Sequence, residues 1–313
     1  MDIASVCIFG GSGFVGQAVA EAAVARGLRV RVVTRRPGSA RALTVLPTLE
    51  RVVADPNDAR SLSRALDNMD AAINLIGILH ESAGATFSAV HAELPGKIAA
   101  ACRAEGVRHL LHMSALGAAR DAPSEYQRTK AEGEANARAA GVPCTIFRPS
   151  VIFGERDSFL NFFAALVRFF PVIPLAGANA RFQPVWVEDV ARAFAAAIGD
   201  KRTVGEAYEL CGPEVYTLAE LVRIVGAITG HPRAVVGLPG PVAAMQAFVL
   251  EHLPGKKMTR DNLRSMQVDN VCKGPFPPIF GFQPAALEAV VPRYLGPAAM
   301  NDRYDKYRQY SGR

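Results

Sequence analysis

The segment Gly10-Gly11-Ser12-Gly13-Phe14-Val15-Gly16 constrains the fold of this chain more than any other. It follows directly on Ile3–Phe9, a short, mostly apolar run with β-branched residues, the pattern of a buried strand. Beyond the glycines, Phe14, Val15, Ala18, Val19 and Ala22 recur at helical spacing. Gly27 stops that helix, and Leu28–Val33 alternates arginine with apolar residues as a second strand. Strand, glycine turn, helix and strand make one βαβ unit. Glycine permits the tight turn and leaves no Cβ in the way of a pyrophosphate. The helix start then offers N–H groups and a partial positive charge to that anion. The expected cofactor-phosphate contacts are Gly10, Gly13, Phe14, Val15 and Gly16. The turn comes ten residues into the chain, and no targeting segment is expected before it.

The alternation continues. Leu49–Ala54, Ala71–Leu79, Val107–Met113 and Cys144–Phe147 read as further strands. Ser61–Leu66, Pro95–Glu105 and Thr129–Ala140 read as the helices between them. Such alternation predicts an α/β fold, a Rossmann-type doubly wound parallel sheet whose ligands bind beyond the carboxyl ends of the strands. After Arg148-Pro149 the pattern changes to a stretch rich in Phe, Pro and Gly. Gln183–Val187 and Glu188–Ile198 then read as a strand and helix returning to the α/β layer, and from Gly212 the chain reads as helices and proline-rich loops. The expected division is a dinucleotide-binding domain over 1–150 plus about 181–211. A smaller, mostly helical lobe for substrate or partner takes about 151–180 plus 212–313.

Half of the 313 residues are hydrophobic, ample for a core, and 20% are charged. The net charge of +6 is spread along the chain, with no basic run interleaved with aromatics, which argues against nucleic-acid binding. A phosphorylated cofactor or an anionic membrane surface suits that charge better. The five cysteines are far apart and odd in number, and Cys7 and Cys144 lie in apolar runs. That argues for a reducing, cytoplasmic compartment and against a disulfide framework or a zinc site. The most apolar stretch, Phe159–Leu175, is interrupted by Asn161, Arg168 and two prolines, so no transmembrane segment is expected. Phe159–Phe170 reads as a buried helix of the smaller lobe, or as an apolar wall for a quinone-like or isoprenoid substrate or a membrane-facing patch.

Thr34-Arg35-Arg36 ends the second strand, where NAD-binding folds carry an acid for the ribose hydroxyls and NADP-binding folds an arginine for the 2′-phosphate. No Asp or Glu lies between Val30 and Glu50. Arg35 and Arg36 therefore point to NADP(H) over NAD(H). Asp55 ends the third strand, either facing the adenine or forming a turn before Pro56. Tyr126 and Lys130 stand four apart on a helix, hence on one face. The free phenol has a pKa near 10, and a nearby ammonium is expected to stabilise the phenolate so that Tyr126 serves in acid–base catalysis, while Lys130 also holds the nicotinamide ribose.

Gly10, Gly13, Gly16, Asp55, Ser114, Tyr126 and Lys130, in that order and spacing, resemble the short-chain dehydrogenase/reductase superfamily in its extended or atypical, epimerase/dehydratase-like branch. Arg148–Phe159, Phe182–Ala191, Met258–Asn262 and Asp269–Val271 are similar to one subgroup, the NADPH-binding accessory subunit of respiratory complex I and its free-standing bacterial relatives. The resemblance covers nearly the whole chain. It implies Ser114 as the substrate-orienting hydroxyl, with Ala115 and Leu116 where many extended members place one, and His91 where an asparagine is common. The first function expected is an NADP-dependent oxidoreductase acting on a carbonyl, alcohol or apolar small molecule, with Tyr126, Lys130 and Ser114 catalytic. The second is a non-catalytic NADPH-binding subunit or assembly partner of a membrane redox complex, peripheral on the inner face of a membrane. A sugar-nucleotide epimerase is a third.

Overall fold

The computed structural model describes residues 1–35, 43, 46–82, 84–252 and 258–296. The chain divides into two compact units. Unit 1 comprises Met1–Pro149, Val187–Leu210 and Pro277–Phe282, and unit 2 comprises Ser150–Trp186, Cys211–Phe276 and Gln283–Arg313. In chain order, the elements up to Pro149 are β1 (Ser5–Phe9), α1 (Phe14–Ala25), β2 (Arg29–Thr34), β3 (Leu49–Val53), α2 (Ala59–Leu66), β4 (Ala71–Asn74), α3 (Leu94–Ala104), β5 (His109–Met113), α4 (Glu125–Ala139) and β6 (Cys144–Pro149). Then come β7 (Ile152–Phe153), α5 (Leu160–Phe169), β8 (Val172–Leu175), β9 (Arg181–Phe182), β10 (Val185–Trp186), α6 (Val187–Ala197) and β11 (Ala207–Leu210). The chain continues with β12 (Tyr216–Thr217), α7 (Leu218–Ile228), β13 (Ala234–Gly237), α8 (Gly240–His252), α9 (Arg260–Ser265), α10 (Leu287–Val290) and α11 (Pro292–Leu295).

Unit 1 is built on a seven-stranded sheet ordered β11-β6-β5-β4-β1-β2-β3, every pair parallel. Read from the other edge this is the 3-2-1-4-5-6 order of the doubly wound dinucleotide fold with a strand added. The central strands β1 and β4 are buried at every residue, as expected where helices cover both faces. Phe9, Leu62, Leu66, Ile98, Leu110 and Ile146 fill the core between the sheet and α2 and α3. The order reverses between β1 and β4, so the crevice for a ligand lies at the carboxyl ends of those two strands.

Unit 2 gathers three two-stranded pairs, β7 with β10, β9 with β12 and β8 with β13, around a core formed by α5, α7 and α10. Leu160, Phe163 and Val167 of α5 meet Leu221, Val222 and Val225 of α7 there. The inner face of α5 is thus a core face, while Phe169 and Phe170 at its end are exposed.

Several expectations change. Residues 181–186 belong to unit 2, because β9 pairs with β12 and β10 with β7. The fourth strand ends at Asn74 rather than Leu79, and the backbone after it turns to meet the glycine loop. The α4 helix begins at Glu125, since the Ser124 hydroxyl accepts from Gln127 N at 3.2 Å and caps it four residues before the expected start. Cys211 and Cys272 form a disulfide within unit 2, with Cα atoms 6.1 Å apart. This overturns the reading against disulfides and removes the cysteine argument for a reducing compartment. Separation along the chain hid the pair, for the two cysteines are 61 positions apart in sequence and folding brings them together. Cys7, Cys102 and Cys144 are buried as free thiols. Among the described residues no helix is long and apolar enough to cross a membrane.

Candidate active site

Every described candidate residue lies in unit 1, at the carboxyl edge of its sheet. The turn after β1 closes with Gly13 N donating to Gly10 O at 3.0 Å. Gly10 takes φ +77°, and a Cβ there would press on Leu75 and Ile76 at 3.1 Å, where the chain leaves β4. A Cβ on Gly16 would sit 2.3 Å from Gly10 O, so this glycine lets α1 pack onto the turn. A Cβ on Gly13 would meet Gly10 O alone within 4 Å, leaving the rest of its surroundings open. The first turn of α1 carries no side-chain cap and no acid. Its N-terminal N–H groups, Phe14 and Val15 included, are suited to a phosphate. The cradle therefore fits a dinucleotide pyrophosphate.

Arg35 is exposed just past β2, and Arg36 lies outside the described residues. Asp55 follows the adjacent β3; its carboxylate accepts from Asn57 N at 2.9 Å, making an Asx turn before α2. Tyr126, Lys130, Ser114 and His91 come together by a different route. Lys130 is buried, and its ammonium donates to Met113 O, the last residue of β5, at 3.3 Å. The same ammonium lies 6.0 Å from the centre of the Tyr126 ring. Ser114 is the next residue after β5. It is buried, and its hydroxyl has no hydrogen-bond partner among the described residues. A polar atom buried in that state is costly unless something else pairs with it, which suits a substrate oxygen.

His91 sits in a π-helical turn, Ser88–Glu93, that runs into α3. Ile78 N donates to its Nε2 at 3.0 Å, which leaves the proton on Nδ1, 3.4 Å from Thr129 Oγ1. Burial, helped by the Lys130 charge, pushes its pKa down to about 2, so it is neutral. The ring stands edge-on to Tyr126, with centroids 5.2 Å apart, and stacks on Phe87. A proton relay through His91 does not match this geometry, because both ring nitrogens are engaged in holding the ring. The ring packs against Tyr126 as part of the wall of this pocket of side chains.

Burial also dominates the phenol. Tyr126 is pushed up to about 12, and Lys130 down to about 8, partly opposed by the Glu134 carboxylate. This corrects the expectation that the ammonium lowers the tyrosine: the amino group at 6.0 Å is itself desolvated, and the loss of water outweighs its pull. Tyr126 is thus protonated at neutral pH.

Sequence reasoning missed two neighbours. His112 lies two residues before Ser114 and so on the same face of β5. Asn74, at the end of β4, donates to its Nδ1 at 3.1 Å, and Nε2 has no partner among the described residues. Burial holds His112 neutral, with a pKa near 3. Glu134, four residues after Lys130, grips Arg148 at the end of β6 with contacts of 2.8 and 2.6 Å. The i, i+4 spacing of Lys130 and Glu134 was visible in the sequence, but the arginine it would meet was not.

Residues 10–158 match a family model described as NAD(P)H-binding. Over 290 residues the chain is 31% identical to "NADH dehydrogenase [ubiquinone] 1 alpha subcomplex subunit 9, mitochondrial" of Mus musculus, covering 90% of this chain and 77% of that one. The chain belongs to the NAD(P)H-binding family that includes this subunit. The Arabidopsis thaliana protein of the same name is 33% identical, and there the chain spans 64% of the relative's length. Another relative in the family, "(4-alkanoyl-5-oxo-2,5-dihydrofuran-3-yl)methyl phosphate reductase" of Streptomyces griseus, is 30% identical over 80% of this chain and 82% of its own. The same fold occurs in an NADPH-dependent quinone oxidoreductase of Escherichia coli solved with NADPH, with a TM-score of 0.75 at 19% identity over 91% of this chain and 97% of that one.

Proposed function

We propose that this chain is an NADPH-dependent reductase of a carbonyl-type or quinone-like substrate. The observation that supports the reading is the buried Ser114 hydroxyl, without a hydrogen-bond partner among the described residues, next to Met113, whose carbonyl accepts from the same Lys130 ammonium that lies 6.0 Å from the Tyr126 ring. Bound nicotinamide supplies hydride. Ser114 Oγ donates to the substrate oxygen and fixes it, and Tyr126 gives its proton to that oxygen as negative charge develops. Lys130, on the same helical face, holds the ribose and compensates the phenolate left behind. The Gly10–Gly16 cradle and the uncapped start of α1 hold the pyrophosphate, with Arg35 on the 2′-phosphate, which favours NADP(H) over NAD(H). Asp55 is proposed to border the adenine from its Asx turn.

A second reading is supported by the relatives named as complex I subunits and by Ala115 and Leu116, which bring no hydroxyl where many reductases have one. In it the chain holds NADPH as a structural ligand within a membrane redox assembly, and the dinucleotide is not turned over. One experiment separates the two. Wild type and Tyr126→Phe are each assayed for NADPH affinity and for oxidation of NADPH by a panel of aldehydes and quinones. The reductase reading expects turnover that falls by about 10²–10⁴ in Tyr126→Phe, with affinity unchanged. Absence of turnover with any carbonyl or quinone, at full NADPH affinity, supports the structural reading instead.

A further inference from the structure

Helix α8, Gly-Pro-Val-Ala-Ala-Met-Gln-Ala-Phe-Val-Leu-Glu-His, is apolar on every side. Helices of that composition are normally buried. Here Ala243 and Ala247 are its buried residues, and Met245, Phe248 and Val249 face outward, Met245 at 63% exposure. Gln246 fixes the helix beside β8, donating to Pro174 O at 2.9 Å and accepting from Ala176 N at 3.1 Å. The strand so engaged begins two residues after Phe170, and Phe169 beside it is 82% exposed. Across the β8–β13 pair, exposed Val236 stands opposite Pro174. One edge of unit 2 thus gathers exposed apolar side chains from three neighbouring segments, more than scattered surface hydrophobes would give.

Two features decide what covers it. The first is the want of directional groups. Protein interfaces carry about one hydrogen bond per 100–200 Å². The one amide of α8 is spent on β8, Glu251 is held by Arg260 at 2.9 Å, and His252 is turned back onto Phe248 O at 2.8 Å. The second is charge. Between Ser158 and Phe182 the sequence carries Arg168 and Arg181 and no acid, and from Arg233 to Lys273 it carries six Lys or Arg against three Asp or Glu. Arg168, next to Phe169 in the chain, and Arg260, over the Phe248 ring and ion-paired with Glu251, are exposed beside the apolar residues. Side chains without hydrogen-bonding demands, bordered by cations, suit hydrocarbon beneath anionic headgroups. At 13 residues α8 is far too short to span a bilayer, so it would lie in the interface.

We infer that this edge of unit 2 docks on an anionic lipid bilayer, with Met245, Phe248, Val249 and Phe169 entering the headgroup–acyl boundary. The inference stands independently of whether the unit 1 site turns over substrate. The full chain is sedimented with vesicles of phosphatidylcholine alone and of phosphatidylcholine with a one-third share of phosphatidylglycerol. Binding to the anionic vesicles is expected, weakened by high salt. Met245→Glu/Phe248→Glu should lower it at least about tenfold, and Phe169→Gln, at a side chain too exposed to matter for folding, should lower it measurably. NADPH affinity should not change in either. Failure to bind anionic vesicles, equal binding to both vesicle types, or binding indifferent to both variants overturns the inference. So does a wild-type dimer that Met245→Glu/Phe248→Glu makes monomeric, which would assign the surface to a second copy.

Discussion

Lys130 carries the sharpest conflict between charge and burial in unit 1. Desolvation lowers its pKa to about 8, against 10.5 for the free side chain. Below about pH 8 the folded and unfolded chains both hold the proton, and the cost of burying the ammonium is fully present. Between about 8 and 10.5 the unfolded chain still binds that proton and the folded one does not, so stability rises with pH through this window. Urea unfolding should show wild type gaining on the order of 3 kcal/mol relative to Lys130→Met from neutrality to pH 10.5, at about 1.4 kcal/mol per pKa unit. A pH-independent difference would mean that the ammonium is well solvated. Arg35 supports a second measurement at this scale. Arg35→Asp should weaken NADPH binding by about tenfold or more and leave NADH binding nearly unchanged, since one charge-assisted contact to the 2′-phosphate is worth about 1.5–3 kcal/mol. Equal loss of both cofactors would remove the 2′-phosphate role. Both residues were visible in the sequence as candidates. What could not be read there was the sign of the tyrosine shift, because that depends on how much water the fold removes from Tyr126 and Lys130 together.

Helix α4 matters at the next scale because it presents Tyr126, Lys130 and Glu134 along one side. Its position is set by a close approach to the π-helical turn carrying His91. A Cβ on Gly133 would fall 1.8 Å from His91 O, and Asn136 Nδ2 secures the next carbonyl, Ala92 O, at 2.9 Å. In an ordinary helix interior, glycine to alanine is stabilising by about 1 kcal/mol. Here Gly133→Ala should instead destabilise by about 1–3 kcal/mol, because backbone rather than a flexible side chain occupies the space. It should also reduce turnover by displacing His91 and Lys130 from each other. Thermal unfolding and NADPH oxidation check the two effects, and a stabilised, fully active variant would show that the helix and the turn can part. The helix pattern of α4 was legible from its spacing. The π turn was not, since its sequence is unremarkable and its shape answers to the contact with α4.

At the scale of the molecule, the Cys211–Cys272 link closes a long loop of unit 2. Cys272 N is further held by the Gln183 side chain at 3.0 Å, and Gln183 Nε2 donates to Gly212 O at 2.7 Å. Both cysteine-bearing segments are therefore positioned by one glutamine. Cys211→Ser/Cys272→Ser should lose about 2–4 kcal/mol of stability. Reductant should lower the wild-type Tm to that of the variant and leave the variant's Tm unmoved; a wild type indifferent to reductant would show that the thiols are not joined. Sequence alone determined the parallel sheet, the glycine cradle, the arginine that follows the second strand and the helical pairing of Tyr126 with Lys130. Each of these is encoded by neighbours within a few residues, through backbone geometry and the periodicities of strand and helix. Only the tertiary structure decided the disulfide, the membership of residues 181–186 in unit 2, the Ser114 hydroxyl left without a partner among the described residues, and the raised pKa of Tyr126. Those depend on which distant segments exclude water from a given atom, and local spacing carries no record of that.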